Sequence, residues 1–279
     1  MSVLARPATS LGRLTLVPRA FFRRDRRIET SYRAGLVLRL GSAVVTIGVF
    51  FFLSRTFDAA APGLMPAGTS YFAFVLVGIV AQEFLSSIVG GFSGSLRESM
   101  TTGTLELMLL GRSRLSTVLI SWTLWLQVSA ALGAAAYLLL GIALGVDLSS
   151  IDVPAALLGL VLMNVGFMGM AFLAGAVVLV IKRGNPVGWA LRGASVVLGG
   201  TLYPVEVLPA VLQTLGALLP MTHALRVLRG AMLHGLGVAE QASQLAVLAV
   251  VSLVYLVLGL TACAVAIRHA RNDGSLAEY

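Results

Sequence analysis

Six stretches of this chain are apolar and long enough to cross a hydrocarbon layer, and polar or proline-broken segments separate them. They cover 36–53, 70–94, 116–145, 155–181, 186–203 and 243–267. A hydrocarbon core about 30 Å thick takes about 20 helical residues, and none of the runs alternates polar with apolar as a half-buried strand does. Lipid admits only helices or closed barrels. The pattern therefore predicts an all-α integral membrane protein with six transmembrane helices, forming a single domain over 1–279.

The intervening segments carry their own patterns. Val17 to Tyr32 reads VPRAFFRRDRRIETSY, with Pro18 at a helix start and Phe21, Phe22, Ile28 and Tyr32 free to face lipid. This predicts an N-terminal interfacial helix; the alternative is a solvated basic flank. A second segment, 97–114, holds Arg97, Glu98, Thr102, Gly103, Thr104, Leu105 and Glu106 and closes with Arg112-Ser113-Arg114. Taken to follow a helix ending near Ser95, it is too long for a plain turn. Thr101 or Thr102 can cap a short helix through Glu106, whose charge suits a helix start. Its polar side is either a docking element or a solvated loop.

The third segment follows a marginal run. Residues 186–203 would give a helix about 27 Å long, leading into Tyr203-Pro204-Val205-Glu206-Val207-Leu208-Pro209. Two apolar pieces come next, 210–219 and 222–233, with Pro220 between them, each too short to span. Leu208, Val211, Leu212, Leu215, Leu218 and Leu219 recur at helical spacing, predicting short extracellular re-entrant helices over 204–233 with ends set by proline. The alternative makes 186–219 one kinked span, which would place the C-terminus outside.

Composition and charge then narrow the class. With 58% hydrophobic and 11% charged residues and a mean hydropathy of +0.93, the chain is excluded from the ordinary soluble globules. Of its twenty basic residues, fifteen fall on one side of a six-span topology: the N-tail, 97–114, Lys182-Arg183, and the C-tail with Arg268 and Arg271. Arg55, Arg226 and Arg229 fall on the other, while Arg39 and Arg192 lie near cytoplasmic span ends. The positive-inside rule predicts cytoplasmic N- and C-termini in a plasma or inner cell membrane. A net charge of +8 set beside spans suits anionic lipid headgroups, and no nucleic-acid partner is expected. No cleavable leader is expected either, because the first apolar run starts late.

The search for chemistry is nearly empty. Lys182 is followed by Arg183 without the glycine spacing of a phosphate loop, so no nucleotide is expected on this chain. His223, His234 and His269 are scattered, which predicts no metal site. The stretch Gly91-Phe92-Ser93-Gly94-Ser95 lacks the final glycine of a nucleophile elbow and sits within a helix. Cys263, the single cysteine, lies in an apolar span and is expected to pack inertly. The second span is different: Glu83, Ser86, Ser87, Gly90, Gly91 and Gly94 share one helical face. Gly90 and Gly94 make a small-xxx-small contact, and an acid in lipid is expensive. Glu83 is read either as part of a translocation path or subunit seam, or as a structural hydrogen-bonder to Gln127, Asn164 or a carbonyl. Ala171 and Gly175 read as packing.

These segments, in this order, resemble the permeases of type-2 ABC exporters along nearly the whole chain. The resemblance rests on Phe21-Phe22-Arg23-Arg24-Asp25 with Glu29-Thr30-Ser31-Tyr32-Arg33, on Gly103-Thr104-Leu105-Glu106, and on Tyr203-Pro204 through Leu208-Pro209, Leu219-Pro220-Met221-Thr222-His223 and Leu228-Arg229-Gly230. One departure is Gly111-Arg112-Ser113-Arg114, where the family often carries a proline. The resemblance implies a permease subunit, not itself an enzyme, that pairs with a second permease as a homo- or heterodimer. It implies two separate ATPase subunits, holding ATP and Mg²⁺, docked on a cytoplasmic coupling helix within 97–114. It also implies an external gate at Pro204, Glu206, Pro209 and Pro220. Exported classes in such a family include polysaccharides, lipid-linked molecules, drugs and natural products. The alternative is a proton-coupled secondary transporter using Glu83.

Overall fold

The computed structural model describes residues 33–60, 69–104, 115–181 and 184–272. The interfacial helix expected at 17–32, and Leu105, Glu106 and Arg112 to Arg114 of the expected coupling segment, lie outside the described residues. Within them every regular element is helical: α1 (Arg33–Ala60), α2 (Tyr71–Thr101), α3 (Leu115–Ala143), α4 (Val153–Ile181), α5 (Pro186–Leu198), a 3-10 turn (Val205–Val207), α6 (Ala210–Gly216), α7 (Pro220–Leu233) and α8 (Ala242–Asn272).

Four of these, α2, α3, α4 and α8, are long and apolar enough to cross a membrane, and α6 with α7 forms a pair bent by 87° that together passes the same test. The chain is a multi-pass, all-helical membrane protein. Helix boundaries depart from the hydropathy runs in two places that matter. The expected fifth span, 186–203, is helical only to Leu198, about 20 Å at 1.5 Å per residue, which is too short to cross alone. Gly199 and Gly200 stop it, and Gly200 takes φ +75°, a left-handed conformation that favours glycine. The same break interrupts the alternative kinked span over 186–219. The second departure is α2, which runs on to Thr101 instead of ending near Ser95.

Burial explains the arrangement. Helices α2 and α4 are mostly enclosed, whereas α3 and α8 expose most of their apolar length. A helix apolar all round is expected both in a bundle core and against lipid, so hydropathy cannot separate these two pairs. The core sits where α2 meets α4: Phe92 lies edge-on to Phe172 and Trp122, with ring centroids 5.2 and 5.9 Å apart. Gly175 admits Phe92 so closely that a Cβ would come 2.4 Å from its ring, so Gly175 packs as its sequence context predicted. Helix α7 is enclosed almost throughout and packs on α2, α4 and α8. Helices α4 and α8 meet backbone to backbone. A Cβ on Gly169 would stand 2.3 Å from the Tyr255 carbonyl carbon, and one on Gly259 2.4 Å from the Gly169 oxygen. Cys263 is fully buried and donates its S–H to the Phe172 carbonyl at 3.0 Å.

Caps set the helix ends as short polar side chains should. Ser70 accepts from the Ala73 amide at 3.2 Å at the start of α2, and Asn185 from Gly188 at 2.9 Å at the start of α5. Asp152 accepts from Ala155 at 2.8 Å at the start of α4, while its own amide donates to the Ala231 carbonyl at 2.9 Å. Loss of a cap typically costs about 1 kcal/mol. Asp152→Ala is therefore expected to lower the unfolding midpoint by a few degrees in detergent, whereas Asp152→Asn, which keeps an accepting oxygen, stays near the parent. Equal losses in both variants would show that the carboxylate oxygen does no capping.

Candidate functional site: the open polar face of α2

The face of α2 from Glu83 to Thr101 is the least enclosed strip of an otherwise enclosed helix. Glu83, Ser86, Ser87 and Gly90 are half-buried, Gly94 is exposed, and Arg97, Glu98 and Thr101 continue the strip in full exposure. The helical period places these residues on one side, while Leu85, Ile88, Val89 and Phe92 face inward. Nothing lies within 4 Å of where a Gly94 Cβ would be. A polar, glycine-lined strip at membrane depth is unfavourable against lipid, so the geometry leaves a surface suited to water, a polar ligand or a second chain.

Two neighbours flank the strip. On one side, α5 comes close: Gln82 donates to the Arg192 carbonyl at 3.2 Å, and a Cβ on Gly90 would lie 3.6 Å from an Arg192 Nη. The Arg192 Nε donates to the Gly188 carbonyl at 3.1 Å, in the preceding turn of its own helix. On the other side, Gly91 receives Leu126 of α3, with 2.7 Å from the would-be Cβ to a leucine methyl. Gly90 and Gly91 thus serve different neighbours. Within this chain the Gly90–Gly94 pair does not form a helix crossing.

Glu83 belongs to a polar group spread over three helices. Tyr137 of α3 lies near Ser42 and Thr46 of α1 and near Glu83 of α2. Among the described residues neither expected side-chain partner shares a hydrogen bond with Glu83. Gln127 donates to the Thr123 hydroxyl at 3.1 Å and to the Met168 sulfur at 2.9 Å, and the Asn164 Oδ1 is buried without a hydrogen-bond partner.

At the far end of the strip the helix terminus differs from expectation. Thr102, expected with Thr101 as the possible start of a new helix, closes α2 instead: its amide and hydroxyl both donate to the Glu98 carbonyl, at 2.9 and 2.8 Å. Gly103 follows with φ +68°, the left-handed residue that commonly ends a helix. Thr104 is itself helical, and its hydroxyl lies 2.9 Å from that of Thr102. Arg97 donates to the Gly184 carbonyl, just before α5. Arg97 and Glu98 are therefore last-turn residues of α2, because capping at Thr102 lets the helix extend through a polar sequence once it has left the apolar layer.

The opposite end of α2 meets the segment named for the external gate. Pro204 precedes the 3-10 turn, Pro209 precedes α6, and Pro220 opens α7, so all three prolines set helix ends as predicted. Glu206 is exposed and lies 3.6 Å from Arg226. Sequence reasoning counted Arg229 among outward charges. Its guanidinium donates to three backbone carbonyls, at 3.1 and 3.2 Å to Phe74, 2.8 Å to Gly200 and 3.1 Å to Thr201. It also stacks 3.4 Å over the Phe74 ring. An arginine within an apolar helix, directly before Gly230, was the available signal.

Of the histidines, His223 contacts the Ala217 carbonyl at 2.8 Å and His234 lies 3.5 Å from the Thr69 hydroxyl. No cluster of three metal-ligating side chains occurs among the described residues. No family model matches the chain, and no curated protein is significantly similar to it.

Proposed function

We propose that this chain is the membrane-spanning permease subunit of a type-2 ABC exporter, with both termini cytoplasmic in the plasma or inner cell membrane. A second permease, identical or related, completes the translocation path, and two separate ATPase subunits holding ATP and Mg²⁺ drive it. The observation that best supports this reading is the continuity of α2. Its 31 residues make a rod about 46 Å long, with one open polar face, joining the Arg97–Gly103 end to the outer turn held by Arg229.

In this reading the ATPases dock on the segment from Arg97 to Glu106. Closure of their nucleotide-bound dimer displaces the Gly103 end, and α2, which cannot bend freely, carries the displacement outward. That is a two-state element biased by a ligand bound elsewhere. Glu83, Ser86, Ser87, Gly90 and Gly94 line the path or the seam between permeases. Pro204, Glu206, Pro209 and Pro220 shape the outer gate. Exported classes compatible with such a path are polysaccharides, lipid-linked molecules, drugs and natural products.

Co-expression with candidate ATPases followed by pull-down is expected to recover a complex whose hydrolysis this subunit stimulates. The second reading, a proton-coupled transporter, draws on the proximity of Glu83 to Tyr137. It predicts that the purified chain in liposomes moves solute on a proton gradient alone, and that result would replace the ABC reading. Glu83→Gln is expected to slow export while leaving assembly intact. An unchanged transport rate would reduce Glu83 to a structural role.

A further inference from the structure

Beyond their glycine crossing, α4 and α8 leave a groove between them that opens outward from the bundle. The contacts of Gly166 with Ser252, Gly169 with Tyr255 and Gly259 with Phe172 advance together along both helices, so the two run parallel and their C-terminal ends lie on one side. From Leu173 and Leu258 onward each helix contributes one stripe of side chains to the groove, at the spacing of a single helical face. Its floor holds the small, buried Ala176 and Ala266, while Val180 and Val265 stand exposed on opposite walls. The volume enclosed is about 700 Å³.

The dimensions and lining restrict what can fill it. On α8 the groove runs from Leu258, near the middle of the span Ala242–Ala270, to His269. That is about 16 Å at 1.5 Å per residue, half of a hydrocarbon core about 30 Å thick, so it has the depth of one leaflet. Spread over this length, the volume makes a channel about 7 Å wide, narrower than a helix with its side chains at about 10–12 Å. Water needs polar partners in such a space. The Thr261 hydroxyl already donates to the Val257 and Leu258 carbonyls, at 2.8 and 3.0 Å, and the rest of the lining is apolar until His269. Left empty, the walls would forfeit their dispersion contacts. At the mouth the chemistry changes: Arg268 beside His269 is exposed, and in sequence Lys182-Arg183 directly follows Ile181, the last groove residue of α4. Among the described residues no acidic side chain lines the groove.

We propose that the groove between α4 and α8 binds one acyl chain of an anionic phospholipid, drawn from the leaflet that meets the C-terminal end of α8, with the headgroup at Arg268 and His269. The acyl chain fits the width, the one-leaflet depth and the dry lining together. Apolar contact by itself selects weakly, because lipid tails are as apolar as leucine. Selection therefore falls on the headgroup, toward which each nearby Lys or Arg contributes about 1 kcal/mol when the lipid is anionic. The site uses no residue of the α2 strip, so it stands whether the chain exports with an ATPase or works otherwise.

Native mass spectrometry of the full-length protein tests it, after titration in detergent with dioleoyl phosphatidylglycerol or dioleoyl phosphatidylcholine. One phosphatidylglycerol is expected to stay bound at about fivefold lower concentration than phosphatidylcholine. Ala262→Phe, which fills the groove from α8, is expected to lose the retained lipid, and Val177→Phe, which obstructs it from α4, to do the same. Val250→Phe, at an exposed α8 position outside the groove, is expected to bind as the parent does. Arg268→Gln changes only an exposed side chain, so it reads the headgroup even if a groove variant fails to fold. It is expected to bring phosphatidylglycerol down to the level of phosphatidylcholine and to leave the latter unchanged. Three results overturn the proposal: equal retention of both lipids by the parent, a preference unmoved in Arg268→Gln, or retention unchanged in folded Ala262→Phe and Val177→Phe. A parent that is dimeric without bound lipid and becomes monomeric in Ala262→Phe would also overturn it, giving the groove to a second copy of the chain.

Discussion

Valine at position 169 is expected to separate α4 from α8 and to cause a large loss of stability. Even a Cβ there would stand 2.3 to 2.5 Å from backbone atoms of Tyr255 and Leu256, and backbone cannot swing aside as a leucine methyl can. The partner position is equally intolerant, since a Gly259 Cβ would meet the Gly169 oxygen and the Phe172 side chain. Overpacking costs about 1–3 kcal/mol, occasionally more. With rigid atoms on both helices the loss belongs at or above the top of that range. Thermal unfolding in detergent should show a drop of many degrees for Gly169→Val. Gly133→Ala, on α3 where nothing lies within 4 Å, provides the control, expected to stay at or slightly above the parent because alanine favours helix. Similar midpoints for the two variants would mean that α4 and α8 do not cross at these glycines.

Gly103→Pro is expected to have the largest functional effect with the bundle left intact. Gly103 takes φ +68°, whereas proline is held near −65°, so the chain leaving α2 must change direction. Proline also deletes the amide that donates to the Met100 carbonyl at 3.2 Å. Residues beyond this point then leave α2 at a different angle, while the buried contacts of α2, from Tyr71 to Met100, are untouched. Under the proposed function the variant inserts and folds but loses most ATPase association or stimulation. Glu106→Ala removes a charge without redirecting the chain and is expected to weaken coupling less. Pull-down and hydrolysis assays on both variants decide the matter: normal binding and stimulation in both would remove the docking role from this segment. Gly103→Ala separates geometry from bulk, because a non-glycine residue in the left-handed region costs only about 1–2 kcal/mol.

The membrane class was legible in the sequence because burial in lipid demands long apolar runs whatever the fold. Runs at 70–94, 116–145, 155–181 and 243–267 correspond to α2, α3, α4 and α8, displaced by a few residues at their ends. Proline placed the breaks at Pro204, Pro209 and Pro220 for a local reason, the missing amide and fixed φ. The polar face of α2 could also be read, since Glu83, Ser87, Gly90 and Gly94 fall on one side by periodicity alone. What those residues touch could not. Gly90 meets Arg192 and Gly91 meets Leu126, yet both are glycines in the same turn with equivalent local sequence.

The failures have equally physical causes. Hydropathy put 186–203 in the membrane as one run because it weighs side chains, whereas the end of α5 is decided by backbone at Gly199 and Gly200. The end of α2 was placed too early because its last turn is polar; a cap at Thr102 carries the helix into water at little cost. A charge tally gives Arg229 a side of the membrane but no binding partner, because it assumes that arginines seek solvent or phosphate. Three carbonyls from two distant segments, with the Phe74 ring beside them, supply what solvent would have.

By itself, then, the sequence determined that the chain is a helical, multi-pass membrane protein with a polar face on its second long helix, a proline-broken segment before its last, and no nucleotide motif of its own. These follow from composition, periodicity and local backbone chemistry, each of which acts within a few residues along the chain. Tertiary structure alone decided that α2 and α4 form the core, that α4 and α8 meet at Gly169 and Gly259, and that Arg229 joins α7 to α2 and the Gly200–Thr201 turn. Those outcomes depend on which surfaces meet across more than a hundred residues of chain, and an apolar helix carries almost no sequence mark of whether lipid or protein will cover it.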